Sequence, residues 1–491
     1  ASFSAISGTL CTGLPDSAMN NSFARFLLKD KHREAARYLL FAKTCEPAVN
    51  QGDPWSAPVR DNALMADLYK EGETLYGKTK NKYIRDRYAF QLVRLQHYSR
   101  QYAEAAALFD KLFGRKERTS LVYYKSLALK AGALLHLEDS VQSAYLFSRV
   151  FEKAPSLRIS CFTSLMWTNT SPEEVYTLCR NNHEKAVVAA IFGLANSAPD
   201  VTAIRETYAL DPASPALNIL LAREMNKVED TYVSTYLAEG QSTGGLIGLR
   251  DYSPGDSSKM TIQVKALQAL TDSVIAAGKL EDKDFWQVSS AYLSYILKDF
   301  RGAKVRLNAV AAKDPQVRDQ WEIGNLLVNI NGQKTIDSAF ESQLLASFKW
   351  LDAKTPEGGH RDGWWRLPDE QYYFRKIYRN LLFAVLAPRY HAQGDEIKEA
   401  LIRSRCDSLH INDYFVSGET AVEQVQDDMK SGELLRLYSF LHQPVKTPYE
   451  SYLAGFFPQS LNMDRIIGES YMRVHDFRTA RDWCRKVPVN E

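Results

Sequence analysis

The sequence predicts an all-α protein built as a superhelical array of antiparallel helical hairpins. Three observations carry that expectation. Residues 88–155 read as two successive copies of helix, short polar turn and helix, with small side chains where two helices would have to touch. In four places a small residue before the turn and an alanine after it stand twelve residues apart: Gly132 and Ala144, Ala291 and Ala303, Gly468 and Ala480, and, with valine in the small position, Val93 and Ala105. Finally, 491 residues with 45% hydrophobic and 24% charged content have the composition of an ordinary soluble globular chain, long enough for a large repeat array.

Residues 1–22 read as a loosely ordered leader. From Phe23 to Lys43, Phe26, Leu27, Ala35, Tyr38, Leu39 and Ala42 fall on helical faces about a turn at residues 29–31, a first hairpin that Pro47 is expected to end. Residues 48–60, with Trp55 among prolines, read as a loop, and Asp61 is placed to cap the next helix, up to Tyr76. The paired repeats follow. The first turns at residues 98–101; the second turns at residues 136–139 and closes at Pro155. Ser171-Pro172-Glu173-Glu174 is a helix start, since serine caps, proline fits the first turn and the acids favour the positive helix end. Helices are expected near 172–180, 183–196, 200–209 and 214–226. The stretch 239–260 is rich in Gly, Ser and Asp, has no helical period and reads as a long loop. Beyond it, 261–278 is helical and 283–315 is a third good repeat, turning at Lys298-Asp299 and closing at Pro315. A second loop, 352–371, reads DAKTPEGGHRDGWWRLPDEQ. Helices return at 372–387, 395–404, 420–430 and 432–442. The last repeat, 467–488, turns at His475-Asp476. The expected organisation is thus an N-terminal helical array over 1–238, the loop 239–260, a second helical segment 261–351, the Gly/Trp-rich loop 352–371, and a C-terminal array over 372–491.

This plan of helix, turn and helix with a fixed small-residue interval resembles the tetratricopeptide repeat (TPR), best at 128–155 and 467–488, and over about a third to half of the chain. The resemblance implies a degenerate TPR-like α-solenoid whose concave face, lined by the first helices, holds a peptide or a partner protein. On that face Gln91, Arg94, Tyr124, Lys130, Tyr295 and Tyr471 are the candidate contacts. Phrases such as EAARYLLFAKTCEP and GESYMRVHDFRTARDWCRKVP are similar to those of large TPR-like proteins of Bacteroidota cell envelopes. That likeness implies export, to the periplasm or the outer membrane, and a targeting segment outside this chain, which starts without Met. It implies no particular catalytic or binding residue.

The remaining features bound the function. Net charge is +2, from 61 basic and 59 acidic residues, which argues against a nucleic-acid or polybasic membrane surface. No run of eighteen apolar residues could span a membrane. Six scattered cysteines form no CxxC; Cys161 and Cys179 could meet across a hairpin, although unpaired buried thiols are the simpler reading. HExxH, SxxK and GxGxxG are absent, so no enzyme, cofactor or metal is expected, and His360 with Asp362 offers only two ligands. The expectation is a non-enzymatic scaffold for protein or peptide partners. The alternative is an envelope glycan-binding protein: Trp364 and Trp365, with Arg361, Arg366 and Tyr372 beside them, could stack on a sugar ring or grip a peptide. The plainer use of those tryptophans is to anchor their own loop.

Overall fold

The structure is a computed structural model describing residues 22–27, 29, 32–49, 61–114, 118–229, 257–280, 282–311, 314–355, 370–409 and 419–488. Among these residues every element is helical, and no helix is long and apolar enough to cross a membrane. The chain forms two compact units. Unit 1 comprises residues 1–197 and 202–220, and unit 2 comprises 198–201 and 221–491.

One turn recurs in both units. Arg100, Glu138, Lys298, His475 and Gly394 all take the left-handed conformation, with φ of 61–71°. At each, the next residue's backbone N–H reaches back to a carbonyl in the last turn of the preceding helix: Gln101 to Gln96, Asp139 to Leu134, Asp299 to Ser294, Asp395 to Tyr390 and Asp476 to Tyr471, at 2.9–3.0 Å. These are Schellman closures, which satisfy carbonyls that the helix end leaves orphaned. In four of the five, the same next residue is an aspartate whose carboxylate caps the second helix, as Asp139 does for Gln142 N and Asp299 for Gly302 N. Gln101 makes no such cap.

The turn also fixes which small residues take equivalent places on the two helices. Counted from the left-handed residue, seven back and five on give Val93 and Ala105, Ala291 and Ala303, and Gly468 and Ala480, as expected. In the second repeat the same count gives Ala131 and Ser143, not Gly132 and Ala144. Ser143 Oγ donates to the Ala131 carbonyl at 2.8 Å across the hairpin. Gly132 serves a different contact, since a Cβ there would stand 3.0 Å from the ring of His97 on the preceding hairpin.

In unit 1, Asn62–Lys78, Lys82–Tyr98, Tyr102–Phe113, Leu121–His136, Ser140–Lys153 and Asn182–Ala195 are the principal helices after Arg33–Val49. Asp61, Asn81, Ser120 and Asn181 each cap one of them, and Ser171 with Glu174 forms a full capping box. Lys82–Tyr98 packs both on its own partner and on Leu121–His136. Val93, Phe109, Ala131 and Val150 form one buried core, and Phe41, Cys45, Met65 and Tyr88 another. Pro47 does not end its helix, which runs to Val49; the missing donor falls in the last turn, where few backbone bonds remain to disturb.

In unit 2, Lys283–Ile296 and Phe300–Asn308 form a hairpin, and Lys283–Ile296 also packs on Pro315–Gly332. The C-terminal core gathers Phe348, Tyr378, Leu382, Tyr390, Leu401, Leu437, Tyr449 and Ile467. Pro315 opens a helix at its first position, capped by Asp314, and Pro155 opens a 3-10 turn. Each was expected only to close a repeat, but a residue without an N–H suits the start of the next helix equally well. Residues 257–260 are the first turn of Ser257–Ala277, Asp352–Lys354 belong to Ser338–Lys354, and Glu370 begins Glu370–Asn380. The rest of the two expected loops, 239–256 and 356–369, lies outside the described residues. The helix expected over 372–387 is interrupted by a π-helical turn, Leu381–Leu386. Just before it, Arg379 Nη1 donates to the Cys406 carbonyl at 2.8 Å, and the Cys406 thiol donates back to the Arg379 carbonyl at 3.6 Å. The widened helix turn is thus locked to Glu396–Ser408.

Candidate functional site: an amide-lined cleft

Two helices of unit 2, Pro315–Gly332 and Ser338–Lys354, line a cleft of about 50 Å³. Each helix start is fixed locally: Asp314 caps Gln316 N and Val317 N, and Asp337 caps Phe340 N. Spacings of three and four bring Glu322, Asn325 and Asn329 to one face of the first helix, and Gln343 and Ser347 to one face of the second. These five polar side chains line the cleft together with the buried Leu326 and Leu344.

Lys304, on Phe300–Asn308, organises the asparagines. Its Nζ donates to Asn325 Oδ1 at 2.6 Å and to Asn329 Oδ1 at 2.9 Å. An amide whose oxygen is taken by an ammonium offers its NH2 group to the other side. Neither Nδ2 has a protein partner among the described residues. The cleft therefore presents two uncharged donors one helical turn apart, with the Glu322 carboxylate as a nearby acceptor.

The walls are held rigidly. Trp321 Nε1 donates to the Leu307 carbonyl at 2.8 Å, and Lys354 pairs with Asp319 at 2.5 Å, tying the two helices together. Near its start, Ser338–Lys354 is fastened by the buried Glu341, which receives Lys398 at 2.6 Å and the Tyr390 hydroxyl at 3.1 Å. Near its end, Asp352 receives Arg405 Nη2 at 2.5 Å and the Tyr452 hydroxyl at 2.8 Å. Burial pushes the Tyr452 hydroxyl up to about 12, so it stays a neutral donor. Tyr452 also accepts from Arg405 Nε at 3.1 Å and meets the Tyr378 hydroxyl at 3.1 Å.

The described side chains singled out in the sequence fall in both units. In unit 1, Arg94 is half-buried with its guanidinium 5.9 Å from the Tyr98 ring. Gln91 is buried, donating to Tyr38 at 3.5 Å. Tyr124 is buried edge-on against Tyr123, and Lys130 pairs with Asp110 at 2.7 Å. In unit 2, Tyr295 is buried, stacked on Tyr292, and its hydroxyl accepts from Asn331 at 3.2 Å. Asn331 shares a helix with the cleft's asparagines. Tyr471 is half-buried against the C-terminal core. Trp364 and Trp365, with His360 and Asp362, lie outside the described residues, as does the side chain of Tyr372. So does Gly240-Gln241-Ser242-Thr243-Gly244, which has GxSxG spacing; that spacing supports a nucleophile only on a strand-to-helix turn. Among the described residues no group of three or more His, Cys, Asp or Glu is placed to hold a metal. Cys45, Cys161, Cys179, Cys406 and Cys484 are free thiols.

The cleft did have a sequence signal. Asn325, Asn329 and Asn331 interrupt an otherwise apolar helical run, and asparagine is a poor helix former because its side chain competes for the backbone. Three within seven residues call for an explanation other than solvation. No protein-family model matches the chain, and no curated protein or solved structure matches it.

Proposed function

We propose that this chain is a non-enzymatic TPR-like α-solenoid that binds an extended segment of a partner protein along Pro315–Gly332. The solenoid reading draws support from the recurring turn and from first helices that pack on the first helices of their neighbours. The binding reading rests on one observation, the bridging of Asn325 and Asn329 by Lys304. Residues four apart on a helix have Cβ atoms about 5–6 Å apart. In an extended chain, carbonyls on one side recur every two residues, about 6.6–6.8 Å. Two amide donors held at the first spacing suit two peptide carbonyls at the second, whatever the side chains between them.

The test is a peptide-display selection on the intact chain, followed by fluorescence polarisation with the selected peptides. Asn325→Asp/Asn329→Asp keeps an oxygen for Lys304 and removes both donors. With each hydrogen bond worth about 1 kcal/mol, Kd should rise about 10- to 30-fold in the double variant. Unchanged affinity would reject the cleft as the site. Oligosaccharide binding abolished by Trp364→Ala/Trp365→Ala, with no peptide selected, would favour the glycan-binding alternative.

A further inference from the structure

We propose that His183 is a proton-operated clamp within unit 1, its doubly protonated ring tying the residues after Thr202–Leu210 to Ser140–Lys153 and releasing them when a proton leaves. The contacts are direct. His183 Nδ1 lies 2.6 Å from Asp211 Oδ2, and Nε2 lies 3.0 Å from Glu152 Oε1. A carboxylate only accepts, so both contacts are hydrogen bonds only when both ring nitrogens carry hydrogen. A neutral ring would turn one lone pair onto a carboxylate oxygen.

Three elements converge here. Glu152 sits at the end of Ser140–Lys153, His183 in the first turn of Asn182–Ala195, and Asp211 directly after Thr202–Leu210. The other charges are arranged unequally. Glu152 also receives Arg149 Nη1 at 2.6 Å and Lys153 Nζ at 2.5 Å. Arg149 lies 3.4 Å from Glu184, which in turn accepts the Tyr145 hydroxyl and the Arg180 backbone N–H, with the Arg180 guanidinium 4.0 Å away. Glu152 therefore keeps two cations when His183 is neutral. Among the described residues, Asp211 keeps only the Ala213 backbone N–H, at 3.1 Å. The Asp211 side is the one that lets go. Asp211 also anchors its turn, since its N–H reaches the Thr207 carbonyl and its carbonyl accepts from Ser214 N, so release loosens 207–214.

Hydrogen bonds to Glu152 and then Asp211 raise the His183 pKa above the ordinary value. The clamp is thus complete below the ordinary histidine pKa of about 6.5 and is lost as pH rises through the raised one. Two readouts on the intact chain test this. The ring Cε1–H resonance of His183, assigned by its absence in His183→Gln, should titrate above about 6.5, and Asp211→Asn should bring its midpoint down. Amide protection at 207–214, corrected for intrinsic exchange, should fall about tenfold between pH 5.5 and 8.5, near the lower end for one charge-assisted hydrogen bond because the ring is partly exposed. In His183→Gln it should be low at both. A midpoint at or below the ordinary value, one that Asp211→Asn leaves unmoved, or protection that does not change with pH would overturn the proposal. Asp211→Asn serves alone if His183→Gln does not fold.

Discussion

Among the described glycines of unit 1, Gly193 has the least room. It lies on Asn182–Ala195, and a Cβ added there would stand 2.4 Å from Ala203 Cβ and 3.2 Å from Leu220 Cδ2. Ordinary contact begins at 3.4 Å, so Gly193→Ala is short by 3.4 − 2.4 = 1.0 Å. Ala203 has no rotamer to turn aside, so the two helices must part. Overpacking of this kind costs about 1–3 kcal/mol. Alanine recovers about 0.8–1.0 kcal/mol of helix propensity. The net expectation is destabilisation of zero to about 2 kcal/mol. Gly77→Ala is the control, in the same unit but with nothing within 4 Å of the added carbon; it should stabilise by up to about 1 kcal/mol. Adding Ala203→Gly to Gly193→Ala removes the opposing atom, and the double-mutant cycle should return a favourable coupling of about 1–3 kcal/mol. Hydrogen exchange of amides 186–195 and 204–210 reads unit 1 by itself, which avoids assuming that both units unfold in one step. Protection in Gly193→Ala above that of the wild type, or a coupling near zero, would refute the close-approach reasoning.

Three further outcomes follow from the geometry. Gln101→Asp supplies the cap that four equivalent turns already have and should stabilise by about 0.5–1 kcal/mol, while Asp299→Ala should lose about 1 kcal/mol, both read as shifts in thermal midpoint. Asp352→Asn strands Arg405, whose side chain is only 7% exposed; the cost should be substantial yet below the about 3–5 kcal/mol of a fully buried pair, because Asp352 is itself 32% exposed, and urea unfolding measures it. A thiol reagent should label Cys484 in the native protein, whereas Cys406 and Cys161, buried and with burial pushing their thiols up to about 12 and about 11, should react only on unfolding.

The helical character of the chain was legible because its signals are local. Asp61 and Ser171 act where a capping residue should, and Val93, Ala291 and Gly468 stand twelve residues from their alanines because a hairpin turn of fixed geometry sets the interval. Register was harder to see. With Ala131, Gly132, Ser143 and Ala144 all small, spacing alone does not choose between adjacent pairs; the left-handed Glu138 does, and a glutamate does not announce that conformation. Gly394 is the reverse case, a turn residue of the expected type whose hairpin has Glu399 where the others carry alanine or serine, so it lacks the small-residue interval. The cleft depends on Lys304 reaching a helix that begins eleven residues later, a tertiary relation that no local pattern records. The π-helical turn at Leu381–Leu386 likewise follows a tertiary pair, Arg379 with Cys406, that its own apolar residues do not record.

The bond between Asp352 and Tyr452 joins residues one hundred apart in sequence. A hairpin contact such as Ser143 to Ala131 spans twelve. Loop-closure entropy grows with the logarithm of the separation, so the longer contact costs about 2 kcal/mol more to bring together. The hairpins can therefore form early, from neighbours already at hand. Arg405 and Tyr452 must wait for most of the C-terminal chain to collapse before Asp352 arrives. Folding of this unit should show fast protection at the Lys298 hairpin and slow protection around Tyr452, and a chain stopped during synthesis before residue 452 would carry Arg405 and Asp352 without the hydroxyl that joins them.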